Sequence, residues 1–236
     1  MLSVSQNLFF ETWVHLHEIL KLIALFQSQT IDLETMEYVR MDAMVADRLH
    51  TNPRTYDIFG FCGLSIFSEF FLHGDIEATA LPGDDFMEQK DLKDEKELKP
   101  QNKLTGAEKL VLSLEMAEGI AVMHGNTDGI IVHDDIQLPQ FLFNEDKSML
   151  KINDFNRAEF MFWDEKNQEY CPYRNGRGHG NWRSPEEYKD DPLDESIDVW
   201  SLGNNMYSIL TGLEPFYNMK IKEMQVRLAR VSFLFF

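Results

Sequence analysis

The segment IIVHDDIQLPQFLF, residues 130–143, runs three β-branched apolar residues straight into His133, Asp134 and Asp135, then returns to a hydrophobic run. A short apolar run without polar alternation reads as a buried strand. A carboxylate beside a core loses hydration, so it requires a partner, a metal or a chemical task. The theme recurs at LKINDFNRAEF, where Asp154 follows a second short strand. Either aspartate alone is explained as a turn residue after a strand, a position Asp favours.

The rest of the chain narrows the choice. Its 236 residues suffice for one large domain or two small lobes. Lys and Arg number 22 against 40 Asp and Glu, a net charge of −18 that argues against nucleic acid or an anionic membrane as the main partner. Cys62 and Cys171, far apart, make no disulfide framework and point to a reducing compartment, the cytoplasm. The apolar start, residues 1–26, is interrupted by Glu11, His15, His17, Glu18 and Lys21. It therefore lacks the roughly 20 consecutive apolar residues of a membrane span, and it has no secretory cleavage pattern.

Periodicity organises the chain into a front part and a helical back part. Residues 33–49 carry an apolar stripe at Leu33, Met36, Met41, Met44, Val45 and Leu49, which predicts a helix. YDIFGFCG and SIFSEFFL read as two strands joined by a tight turn. Residues 84–99 are a mixed charge run that reads as a solvated loop or surface helix, with no function assigned to it. Thr105 and Glu108 stand at capping-box spacing before a helix ended by Gly125, with Leu110, Leu114, Ala117 and Ala121 on one face. Strands are expected near 130–132, 141–143 and 149–152, and a second long helix over 197–211, capped by Gly212.

Farther on stand NWRSPEEY and DESIDVWSLGNNMYSILTG. The ordered set HDD, DFN, SPE and DVWSLG resembles the catalytic lobe of the eukaryotic protein kinase family, which carries its catalytic-loop, Asp-Phe-Gly, Ala-Pro-Glu and Asp-x-Trp-x-x-Gly signatures in this order. The resemblance makes Asp135 the counterpart of the catalytic base. It places Gln140 where the family has its metal-binding Asn, and gives Asp154 the role of holding magnesium. Asp198 falls on the buried helix whose Asp supports the catalytic loop. In the front half, EILKLIAL resembles the family's Val-Ala-Ile-Lys strand and nominates Lys21 as the phosphate-contacting lysine. Asp42 would take the place of its ion-pairing Glu. Ser68 would be the gatekeeper, with Glu69, Phe70 and Phe71 facing adenine.

The resemblance implies an α+β, two-lobed kinase-like fold, with a partial sheet-rich N-lobe over about 19–72 and a hinge and linker over 73–104. A mainly helical, C-terminally truncated C-lobe over 105–236 would complete the domain 19–236, residues 1–18 standing apart. It implies ATP and Mg2+ as ligands, a protein substrate, and transfer of the γ-phosphate to a protein hydroxyl, serine or threonine by base rate. Several residues depart from the pattern. Gln137 stands where the family has a Lys contacting the γ-phosphate, and Asn156 replaces a Gly. Asp134 replaces an Arg that receives an activation-loop phosphate, and no glycine-rich loop precedes Lys21. These departures motivate a second expectation, a pseudokinase that binds nucleotide or scaffolds with little turnover.

Overall fold

A computed structural model of the chain describes residues 33–81 and 102–230. Lys21, its expected strand, segment 1–18 and the charge run 84–99 lie outside the described residues.

The first described helix, α1 (Leu33–Leu49), buries Ala43, Val45, Ala46 and Leu49. The N-terminal part of the expected stripe faces outward instead, Leu33 being 85% exposed. An antiparallel hairpin follows, β1 (Ile58–Cys62) and β2 (Ser65–Ser68), with Gly63 at positive φ in the turn. A short helix, α2 (Glu77–Ala80), leads toward residue 81.

The back part is built on two helices. In α3 (Gly106–His124) the capping box forms as expected: Thr105 accepts from the Glu108 N–H and the Glu108 side chain accepts from the Thr105 N–H. Its buried face differs from the expected one. Leu112, Met116, Gly119, Ile120 and Met123 point inward, while Leu110 and Leu114 are exposed. The reason is polar: Lys109 and Glu115 also lie on the inward face. Lys109 Nζ donates to the Leu210 carbonyl at 2.6 Å, and Glu115 Oε2 accepts the Leu150 N–H at 3.1 Å. Both satisfy backbone groups that would otherwise be orphaned.

Four short strands lie between the long helices and their ends meet at the site. β3 (Ile130–Val132) pairs antiparallel with β6 (Glu159–Met161), and β4 (Phe141–Phe143) with β5 (Leu150–Ile152). A further hairpin, β7 (Trp163–Asp164) and β8 (Glu169–Tyr170), stands at the surface. Then come α4 (Pro185–Lys189), α5 (Ser196–Thr211) and α6 (Ile221–Leu228). Gly212 ends α5 in the left-handed region, the usual device for closing a helix.

The principal core joins the front and back parts. It holds Val45, Leu49 and Tyr56 from the front, Met116 and Ile120 from α3, and Phe141, Ile152 and Phe155 from the strand region. Asn102 ties the chain after the linker into this body, its amide donating to the carbonyls of Ala80 and Ile209 at 3.0 and 2.8 Å.

Candidate active site

The turn after β3 is held from beneath. Asp198, on the first turn of α5 and 1% exposed, accepts the His133 N–H on Oδ2 at 2.7 Å and the Asp134 N–H on Oδ1 at 3.0 Å. His124, at the end of α3, meets the same Oδ2 at 2.9 Å. A buried carboxylate is tolerated when its lone pairs are satisfied in this way. Asp134 takes φ 61, a left-handed conformation that Asp tolerates better than most residues. The next residue, Asp135, is half-buried.

A second turn arrives from β5. Asn153 uses both its backbone N–H and its side-chain amide to donate to the Gln140 carbonyl, each at 3.0 Å. That pairing brings the short 3-10 turn Leu138–Gln140 against the end of β5. Asp154 then adopts φ 63, and the Gln140 side chain hydrogen-bonds to its carboxylate. Asn156, which replaces a Gly, lies within the 3-10 turn Phe155–Arg157, and the positive φ falls on Asp154. Burial pushes Asp154 above the ordinary carboxylate range. His133 pulls it back, and the nearby charge of Asp135 pushes it further up. The charge of Asp135 and the side chain of Gln140 thus both act on Asp154.

Phe155 anchors that group to the front part. Its ring is fully buried, stacks on Tyr56 with centroids 5.6 Å apart and meets His133 edge-on at 5.5 Å. The Phe155 N–H donates to Asp42 Oδ1 at 2.8 Å, and the Tyr56 hydroxyl donates to the same oxygen at 3.1 Å. Burial lifts the Asp42 carboxyl to about 6; the Phe155 and Tyr56 hydrogen bonds oppose the shift and the charge of Asp154 adds to it. Asp42 was expected opposite Lys21, which lies outside the described residues. The contact on view is to the turn that carries Asp154.

The remaining nominated residues follow β2. The Glu69 carboxylate accepts from Lys151 Nζ at 2.6 Å and from the Asp57 N–H at 2.8 Å, so its side chain is committed to the strand pair behind it. Phe70 is 72% exposed, Phe71 packs against the principal core, and Ser68 is exposed.

Four residues at the site escaped the sequence reading. Tyr56 is one. The others surround Asp134, whose side chain is turned inward: Arg157 Nη2 approaches its Oδ2 at 3.2 Å, Asn175 donates to the same oxygen, and Arg183 donates to its carbonyl. Burial pushes Asp134 up, against the pull of Arg157, Asn175 and Arg183. Arg183 also bonds Asp135, with Nη2 2.6 Å from Oδ1. A lone Arg directly before Ser184-Pro185-Glu186 was the available signal, and it carried no spacing to mark it.

A donor set of one carboxylate and one amide oxygen suits magnesium, which completes its shell with water and substrate phosphates. Asp154 and Gln140 fit that set, a half-buried anion raised by burial being a group that a cation would relieve.

Small antiparallel sheets packed on a helical body, with two aspartate-bearing turns side by side, make this the scaffold of a protein kinase domain. A model of that family, described as the protein kinase domain, matches residues 84–234, more than half of the chain; the chain belongs to the protein kinase family. It is 28% identical over 111 residues to the probable serine/threonine-protein kinase SIS8 of Arabidopsis thaliana, covering 47% of this chain and 10% of that protein. It is 27% identical over 111 residues to the Arabidopsis thaliana serine/threonine-protein kinase CTR1, covering 47% and 13%. Against mitogen-activated protein kinase kinase kinase 7 of Homo sapiens it is 26% identical over 116 residues, covering 48% and 17%. The matched part therefore spans under a fifth of each of these relatives. No helix among the described residues is long and apolar enough to cross a membrane.

Proposed function

We propose that this chain transfers the γ-phosphate of ATP to a protein hydroxyl, with Asp135 as the general base and Asp154 and Gln140 as the magnesium ligands. The carrying observation is the meeting of the two turns that bear Asp135 and Asp154: His133 Nε2 lies 3.0 Å from the Asn153 carbonyl, and Gln140 hydrogen-bonds to Asp154. Serine or threonine is the favoured acceptor, because two of the relatives named above are serine/threonine-protein kinases. Two exposed, unpaired cysteines suit a reducing compartment, and the cytoplasm is the proposed location.

In the reaction, the hydroxyl oxygen forms a bond to the γ-phosphorus while the bond from that phosphorus to the bridging oxygen breaks. ADP leaves with the electron pair, and the hydroxyl proton passes to Asp135. Magnesium, when bound, neutralises charge on the phosphate oxygens. Asp154 and Gln140 would hold it. Asp42 fixes the turn on which Asp154 stands, and Asp198 fixes the turn that presents Asp135. Lys21 is the proposed contact to the remaining phosphates, and residues 69–71 the proposed adenine edge.

The competing reading is a nucleotide-binding or scaffolding pseudokinase, favoured by Gln137 in place of a lysine. Transfer of labelled phosphate by the chain and by Asp135→Ala separates the two. Loss of the signal in the variant supports the enzyme; equal signals leave the scaffold.

A further inference from the structure

Gln137 leaves the proposed base without the cation that the family resemblance implies at that position, yet the site is not without one. The Gln137 amide donates to Asp135 Oδ1 at 2.8 Å, and Arg183 Nη2 donates to the same oxygen at 2.6 Å. Among the described residues no hydrogen bond reaches the other oxygen, Oδ2. The arginine comes from 48 positions downstream.

We infer that Arg183 is a positioning residue for the proposed transfer: it clamps Oδ1 of Asp135 together with Gln137, brings a positive charge to the base from the end of the activation segment, and leaves Oδ2 for the acceptor hydroxyl. This rests on the kinase reading and deepens it.

The arginine is built into place. Its side chain is 9% exposed. Nη1 donates to the Asp134 carbonyl and, at 3.1 Å, to Glu187 Oε1, while Nη2 reaches Asp135. The planar fork thus grips two successive residues of the turn after β3, a geometry that lysine cannot reproduce. The approach is close: a Cβ on Gly178 would stand 3.0 Å from Glu187 Cβ and 3.1 Å from Arg183 Cγ. Charge fixed beside a reacting group in a half-buried site acts strongly, because little reorganisation is needed when the reaction occurs.

The test is steady-state transfer of labelled phosphate by the full chain and four variants. Arg183→Gln is expected to lower kcat by about tenfold or more with KM for ATP changed less than about twofold, and Arg183→Lys to lose less. In Arg183→Gln combined with Gln137→Lys, kcat should recover substantially. A lysine at 137 restores charge at Asp135 but cannot restore the bonds to Glu187 and the Asp134 carbonyl, so recovery isolates the role at Asp135. Gln137→Lys alone, which leaves Arg183 in place, should gain no more than about twofold, whereas a site lacking a cation would gain about tenfold; this arm decides the matter if Arg183→Gln does not fold. Transfer by a folded Arg183→Gln that is unaffected, raised, or lowered without recovery by Gln137→Lys overturns the inference, as does a gain of about tenfold in Gln137→Lys alone; each leaves the kinase reading intact. No transfer by the unsubstituted chain overturns both.

Discussion

The Phe155 N–H donates to Asp42 Oδ1 across 2.8 Å and 113 positions of sequence, so a carboxylate on α1 holds the turn that presents Asp154. Burial places the Asp42 carboxyl near 6 against an ordinary 3.8. Between those values the folded chain holds a proton that the unfolded chain has lost. Stability from this group therefore falls as pH rises through about 6, with an upper bound of about 3 kcal/mol. Asp42→Asn keeps an oxygen for the Phe155 N–H and removes the charge. Its melting temperature is expected to exceed that of the unsubstituted chain at pH 8 and to converge with it near pH 4, as followed by thermal denaturation.

Asp198→Ala strands the N–H groups of His133 and Asp134 in a buried site. A loss of about 2–5 kcal/mol is expected from unsatisfied donors and lost charge-assisted bonds, measured by urea unfolding. Asp198→Asn retains one acceptor oxygen and is expected to lose less.

Asp134 stands where a phosphate-binding arginine is expected, and its partners are reversed to match. Arg157 and Arg183 come to it from the segment that begins at Asp154. Phosphate on Tyr170 or Tyr173 has no arginine at residue 134 to meet, so transfer is expected to be indifferent to it, checked by comparing Tyr170→Phe and Tyr173→Phe with the unsubstituted chain. Asp134→Arg sets three cations together and is expected to expose residues 170–183 to limited proteolysis.

Gly180 takes φ +89, and a Cβ there would fall 2.4 Å from the Trp182 ring. Gly180→Ala is expected to lower stability by about 1–3 kcal/mol through backbone strain and steric overlap. A melting curve within a degree of the unsubstituted chain would show that the loop relaxes freely.

The motifs read along the chain singled out Asp135, Gln140 and Asp154, because each lies directly on a strand–turn boundary whose apolar flank is visible in sequence. The faces of the helices were less legible. On α3, apolar residues surround the helix almost completely, and the inward side is chosen by Lys109 and Glu115, whose backbone partners are remote in sequence. The stripe of α1 was half correct: Val45 and Leu49 are buried, while small Ala43 and Ala46 do the close packing. Arg183, Arg157 and Asn175 could not be read because their common partner, Asp134, is reached only once the segment folds back.

Glu187 closes the capping box of α4, its carboxylate receiving the Ser184 N–H at 2.6 Å, and the same carboxylate receives Arg183. One side chain thus nucleates a helical turn and aims a guanidinium. The two cannot be assembled separately: a lesion that frays this five-residue helix would register in an assay as a defect of chemistry, and turnover becomes a local gauge of whether that turn has formed.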